Sequence, residues 1–135
     1  MITLIEYLTA IREYAKDIHY NAHGEAFYGI HLLMDRIADG IYDKIDAIKE
    51  TYYLGNIQQP PKSADILKVT VAYIPEVTAS NDTNLRNLDA LIAKTLDHIK
   101  LNFQNEERAT NTLLDDIAQD LTLKRGLIWR SLEDI

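Results

Sequence analysis

The sequence predicts an all-α protein, a bundle of four long helices with a short extra helix in the crossover between the second and third. Glycine and proline are scarce, five and three among 135 residues, which leaves few breakpoints and favours long helices over many short strands. Apolar residues recur at three- and four-residue steps through four long segments. The segment around Val69, Thr70 and Val71 has the β-branched content of a strand, but a lone strand would have no partner. With 47% hydrophobic residues, the chain is expected to fold as one domain over residues 1–135 with a real core.

The first helix is expected over about 2–21, where Ile5, Leu8, Ile11/Arg12 and Ala15 form one face and Asn21 and Gly24 mark the end. The second is expected to run without interruption over about 26–54. Ile30, Leu33, Ile37, Ile41, Ile45 and Ile48 are its apolar stripe, and Leu54-Gly55-Asn56 stops it. "QQPPKS" is a connector, because Pro60-Pro61 cannot continue a helix. Ser63 is placed to cap a short helix, "SADILKVTVAYI". After Pro75 and "TASNDT", Asp82 or Asn81 is placed to cap a third long helix over about 83–104, carrying Leu85, Leu88, Leu91/Ile92, Leu96 and Ile99. "QNEERATN" is a weak break before the fourth helix, with Leu113/Leu114, Ile117, Leu121, Leu127/Ile128 and Leu132. The roughly 28 residues between the second and third long helices permit a long crossover.

Composition narrows the function. The absence of cysteine excludes a disulfide scaffold and thiolate metal sites. A net charge of −7 repels a phosphate backbone and attracts cations, so nucleic-acid binding is disfavoured. No apolar run approaches the roughly 18 residues of a membrane span. "MITLIEYLTAIREYAKD" lacks the basic start and continuous apolar centre of a signal peptide, so a cytoplasmic location is expected.

The second helix also carries polar residues that a buried face avoids. His31 and Asp35 are four apart, as are Asp46 and Glu50, so each pair shares a face. In an unbroken helix, the eleven residues from Asp35 to Asp46 make three turns and place both pairs on one stripe. They are also about 16 Å apart, so one chain cannot close both pairs on a single ion. Two second helices packed antiparallel about a twofold axis would set His31/Asp35 of one chain against Asp46/Glu50 of the other. The midpoint falls beside Gly40. A glycine inside a helix costs about 1 kcal/mol relative to alanine, and at the axis its benefit would be close approach of two backbones. His19, near the end of the first helix, adds an imidazole. Two imidazoles and three carboxylates suit Fe(II), Mn or Zn. Histidines and acids at helical spacing more often form a plain solvated face.

The spacing of His19, Tyr20, Gly24, Phe27, His31, Asp35, Asp46 and Glu50 resembles the Dps family of mini-ferritins, bacterial iron-storing cages. "SADILK" is similar to that family's crossover helix, and "TNTLLDDIAQDLTLKRGLIWRSL", with Trp129, to its fourth. The resemblance implies a ferritin-like bundle and a di-iron ferroxidase centre shared between subunits. His19, His31 and Asp35 would come from one subunit, Asp46 and Glu50 from its twofold mate. It further implies a homo-oligomer, a hollow dodecamer of twofold dimers. Such a cage oxidises Fe(II) with hydrogen peroxide or dioxygen, stores the ferric product and protects against oxidative damage. Acid-lined entry pores would draw on Glu107, Asp115, Asp116 and Asp120. Tyr20 stands where the family has tryptophan and keeps an oxidisable aromatic beside the site. Leu32, Arg36 and Gly40 stand where relatives carry mineral-nucleating acids.

Two other readings are a DNA-condensing structural protein, for which "RSLEDI" and the first helix supply no basic arm, and a cage holding zinc or manganese as a structural metal. His23 is read as a surface residue, His98 as exposed or interfacial, and Trp129 as packing. No histidine follows a glutamate by three, so the Glu-x-x-His signature of a centre inside one bundle is missing.

Overall fold

A computed structural model describes residues 1–133; the last two residues of "RSLEDI" lie outside the described residues. Among the described residues there are helices and no strands. The helices are α1 (Ile2–Asn21), α2 (Phe27–Ala38), α3 (Ile41–Ala47), α4 (Ser63–Thr70), α5 (Asn81–Asn102) and α6 (Arg108–Glu133). A π turn over Ile48–Tyr53 and a 3-10 turn over Leu54–Asn56 extend α3, and a 3-10 turn over Val71–Tyr73 ends α4. The β-branched stretch is therefore a helix end.

α1 is the most enclosed element. Leu4, Leu8, Ile11, Tyr14, Ala15 and Ile18 are fully buried, so it is covered over most of its circumference. Contacts run from α1 to α2, from α2 to α6, from α6 to α5 and from α5 back to α1, which closes a ring; α4 lies against α1. The core inside it is aliphatic: Ile30, Met34, Ile37, Ile41 and Ile48 face Leu85, Leu88, Ile92, Ile117, Leu121 and Ile128. Each fully buried aliphatic side chain contributes about 1.5–3 kcal/mol relative to exposure.

The second long helix is not continuous. It breaks at Asp39-Gly40 and restarts at Ile41. Asp39 is extended and Gly40 has φ 76°, a left-handed conformation that glycine adopts without a Cβ clash. The carbonyl of Asp39 does not go unpaired, because Lys124 of α6 donates to it at 3.1 Å. Lys124 is itself almost wholly buried and paired with Asp120 at 2.8 Å. The glycine thus makes a turn, where the sequence had suggested close contact of two backbones. The apolar stripe survives the break, since Ile30, Ile37, Ile41, Ile45 and Ile48 are all buried, while Met34 takes the central place expected of Leu33.

Two helix starts also differ. Ser80 caps α5, its hydroxyl accepting from the Thr83 amide at 3.1 Å, where Asp82 or Asn81 had been expected. Ser63 is the first residue of α4 and provides no side-chain cap. Buried Asn84 fixes the crossover to α5: its Oδ1 accepts from the Thr78 amide at 2.9 Å and its Nδ2 donates to the Thr78 carbonyl at 3.0 Å. Arg125 of α6 holds Asp89 of α5 through two bonds, 2.8 and 3.2 Å.

Candidate metal centre

His19 lies in the last turn of α1 and His31 in the second turn of α2. The chain reverses between them through Gly24, which has φ 80°, and the two imidazoles stack with centroids 3.6 Å apart and planes at 18°. His19 Nδ1 is 2.7 Å from the His31 carbonyl oxygen, and His31 Nδ1 is 2.8 Å from the His19 carbonyl oxygen. A carbonyl only accepts, so both Nδ1 atoms carry hydrogen and donate. In the neutral form each ring therefore keeps its lone pair on Nε2. A backbone carbonyl on the second nitrogen is the usual orientation of a metal-ligating histidine. Phe27 packs against His31 at 5.0 Å and Tyr20 meets His19 edge-on at 4.9 Å.

Asp35 is one turn beyond His31, and its Oδ1 is 3.9 Å from His19 Nδ1. The nearer partner is Lys16, whose Nζ donates to the same oxygen at 2.9 Å. That hydrogen bond raises Lys16 above the usual lysine range and lowers Asp35 below the usual carboxylate range. Lys16 is the neighbour of these side chains that sequence reasoning missed. Its signal was position: it precedes His19 by three residues and so shares a face of α1 with it.

Asp46 and Glu50 are exposed and lie on the far side of the Gly40 break, Asp46 on α3 and Glu50 in the π turn. π turns inside helices often mark functional positions. Two cavities separate the half-sites. One, of about 560 Å³, is bordered by Arg12, Lys16, Asp35, Arg36 and Tyr42; the other, of about 330 Å³, by Tyr42, Asp46, Lys49 and Leu67. So the fold brings His19 and His31 together, sets Asp35 on the Nδ1 side of His19, and leaves Asp46 and Glu50 beyond the Gly40 break. Among the described residues of one chain, no three histidine, aspartate or glutamate side chains converge on a point where an ion would sit. The donor set itself, two neutral imidazoles and three carboxylates, fits a divalent metal of intermediate hardness.

The residues set aside fall as follows. His23 is exposed, its Nδ1 on the Asn21 carbonyl at 3.0 Å. His98, expected to be exposed or interfacial, is half-buried in an aromatic cluster, edge-on to Tyr7 at 5.5 Å and Phe103 at 5.8 Å; burial, then the chain's amino terminus, pushes its pKa down. Trp129 is about half exposed beneath Arg86. Of the acids considered for entry pores, Asp116 is paired with Lys44 at 3.0 Å and Asp120 with Lys124, while Glu107 and Asp115 are exposed. No helix of the described residues is long and apolar enough to cross a membrane. No protein-family model, curated protein or solved structure matches the chain.

Proposed function

We propose that the chain is the protomer of a Dps-like mini-ferritin that oxidises Fe(II) with hydrogen peroxide or dioxygen and sequesters the ferric product in a homo-oligomeric cage. The observation that carries the reading is the reciprocal tethering of His19 and His31. Each imidazole donates through Nδ1 to the other's backbone, which leaves two Nε2 lone pairs on adjacent, oriented rings. The closed ring of α1, α2, α6 and α5 supports the ferritin-like bundle.

Geometry supports a second copy as the source of Asp46 and Glu50, because one chain leaves them on the far side of the Gly40 break from His19, His31 and Asp35. An antiparallel mate would set His31/Asp35 of each chain against Asp46/Glu50 of the other, and such a contact is self-complementary. In that arrangement the imidazoles bind the substrate Fe(II) through Nε2, and Asp35, Asp46 and Glu50 supply anionic oxygen that favours Fe(III) over Fe(II). Lys16 releases Asp35 as the cation arrives, since one ammonium and one metal ion compete for the same oxygen. Two Fe(II) held side by side give one electron each to a single peroxide. With two protons, its O–O bond breaks to two waters and no hydroxyl radical is released.

Stopped-flow Fe(II) oxidation with peroxide tests the reading. The Asp35→Ala, Asp46→Ala double variant is expected to lose the rapid phase while its assembly by light scattering stays intact. His31→Ala chains mixed with Glu50→Ala chains are expected to regain part of it, because each composite site draws on both. A wild-type protein that binds zinc yet shows no rapid phase would make the metal structural instead.

A further inference from the structure

Tyr42 stands between the two half-sites, bordering both the cavity beside Asp35 and the cavity beside Asp46. Its hydroxyl donates to Glu13 Oε1 at 2.8 Å. Arg12 donates to the same oxygen at 2.9 Å and lays its guanidinium over the Tyr42 ring, 4.6 Å from the centroid, so phenol and carboxylate are both held. Among the described residues, the other tyrosine hydroxyl that donates within the chain is that of Tyr14, to the amide oxygen of Asn84 at 3.5 Å. Arg12 is one turn of α1 from Lys16, about 6 Å along the axis, so Tyr42 lies about a turn from the lysine that holds Asp35.

A phenol that gives up an electron must also shed its proton, and a carboxylate already within hydrogen-bond reach takes it at that moment. Burial, and after it the bond to Glu13, raises the Tyr42 phenol above the usual range, so the proton is there to be moved at neutral pH. We infer that Tyr42, with Glu13 as its proton acceptor, is the one-electron donor that quenches oxidants escaping the site. The inference rests on the iron-oxidising reading above. A single Fe(II) that meets hydrogen peroxide yields Fe(III), hydroxide and a hydroxyl radical. Tyr42 passes one electron to that radical, which becomes hydroxide. The phenolic proton moves to Glu13 Oε1, leaving a neutral tyrosyl radical and a carboxylic acid. Tyr20, beside His19, has its ring under the Lys16 ammonium at 5.4 Å and, among the described residues, no carboxylate bonded to its hydroxyl.

The test separates proton acceptance from exposure. Metal-free full-length protein is photo-oxidised with ruthenium tris-bipyridine and persulfate in the presence of a nitroso spin trap, and adducts are mapped by peptide mass spectrometry. Exposure alone ranks Tyr20 and Tyr28, 70% and 68% exposed, ahead of Tyr42 at 51%. The expected result is a several-fold excess of adduct on Tyr42, cut several-fold by Glu13→Gln. Adducts that follow exposure, or that are indifferent to Glu13→Gln, overturn the assignment. In a second arm, Fe(II) and peroxide are mixed and freeze-quenched for paramagnetic resonance, with iron oxidation followed in the same sample. Tyr42→Phe is expected to remove most of the tyrosyl signal, and its persistence overturns the assignment. Absence of rapid iron oxidation in the wild type overturns only the ferroxidase reading, because the photochemical arm uses no iron.

Discussion

Replacing Gly40 with alanine distinguishes a broken second helix from an unbroken one by the sign of the effect. In an unbroken helix, alanine is better than glycine by about 1 kcal/mol, and the variant would be more stable than the wild type. In the structure Gly40 sits at φ 76°, where a residue with a Cβ is disfavoured by about 1–2 kcal/mol. Among the described residues a Cβ built there meets nothing within 4 Å, so no clash adds to the cost and no packing offsets it. The expected change is therefore a loss of about 1–2 kcal/mol. For a chain of 135 residues that corresponds to a fall in Tm of roughly 3–8 °C. Gly40→Asn should lose less, since asparagine tolerates the left-handed region better than alanine. Thermal unfolding by circular dichroism, at one fixed protein concentration because any self-association would raise Tm, measures both. A Gly40→Ala variant that melts above the wild type would refute the break and restore the straight-helix spacing of the two donor pairs.

Three other outcomes follow from the same geometry. Lys124→Met should cost about 1–3 kcal/mol in urea unfolding, because it strips the Asp39 carbonyl and the Asp120 carboxylate of a buried partner; adding Asp120→Asn should recover part of the loss. His98 has a pKa held below its ordinary value of 6.5, so the folded state resists its protonation more than the unfolded state does. Stability should therefore be undiminished by this group above about pH 7 and should fall as pH drops from there through the depressed value; His98→Phe should flatten that part of the profile. Nitrogen-15 spectra of the metal-free protein should show His19 and His31 both as the Nδ1–H tautomer, and zinc should shift their Nε2 resonances. A Nε2–H tautomer at either ring would contradict the tethering.

Much of the fold was legible in the sequence, and the exceptions share a cause. The faces of α1 and α5 follow from three- and four-residue steps, and Ile5, Leu8, Ile11, Leu85 and Leu88 are buried as that period requires. The break at Gly40 was not legible. Periodicity continues across it, a lone glycine inside a helix costs only about 1 kcal/mol, and the contact that secures the turn comes from Lys124, 85 positions downstream. The α5 cap was ambiguous because "SNDT" offers several side chains able to accept from a first-turn amide, and only the backbone at Ser80 decides among them. At the site, the nearness of His19 to His31 follows from two antiparallel helices joined by a short reversal. The grip of Lys16 on Asp35 was harder to read: spacing puts Lys16 on the face of His19, but a lysine on an amphipathic helix ordinarily faces water, and that position alone does not show that it reaches across to the next helix.

The exchange of donors between His19 and His31 makes the two rings one object. Deleting either side chain removes the donor that satisfies the other residue's carbonyl, and it strips away half of the stack that keeps the survivor upright. Alanine substitutions at 19 and at 31 will therefore each report a loss belonging to the couple, and the double variant will be little worse than either single one. Apportioning affinity between them by subtraction would count the same loss twice. The smallest unit of that end of the protein that can be removed, transplanted or redesigned is the pair together with the two backbone segments it ties.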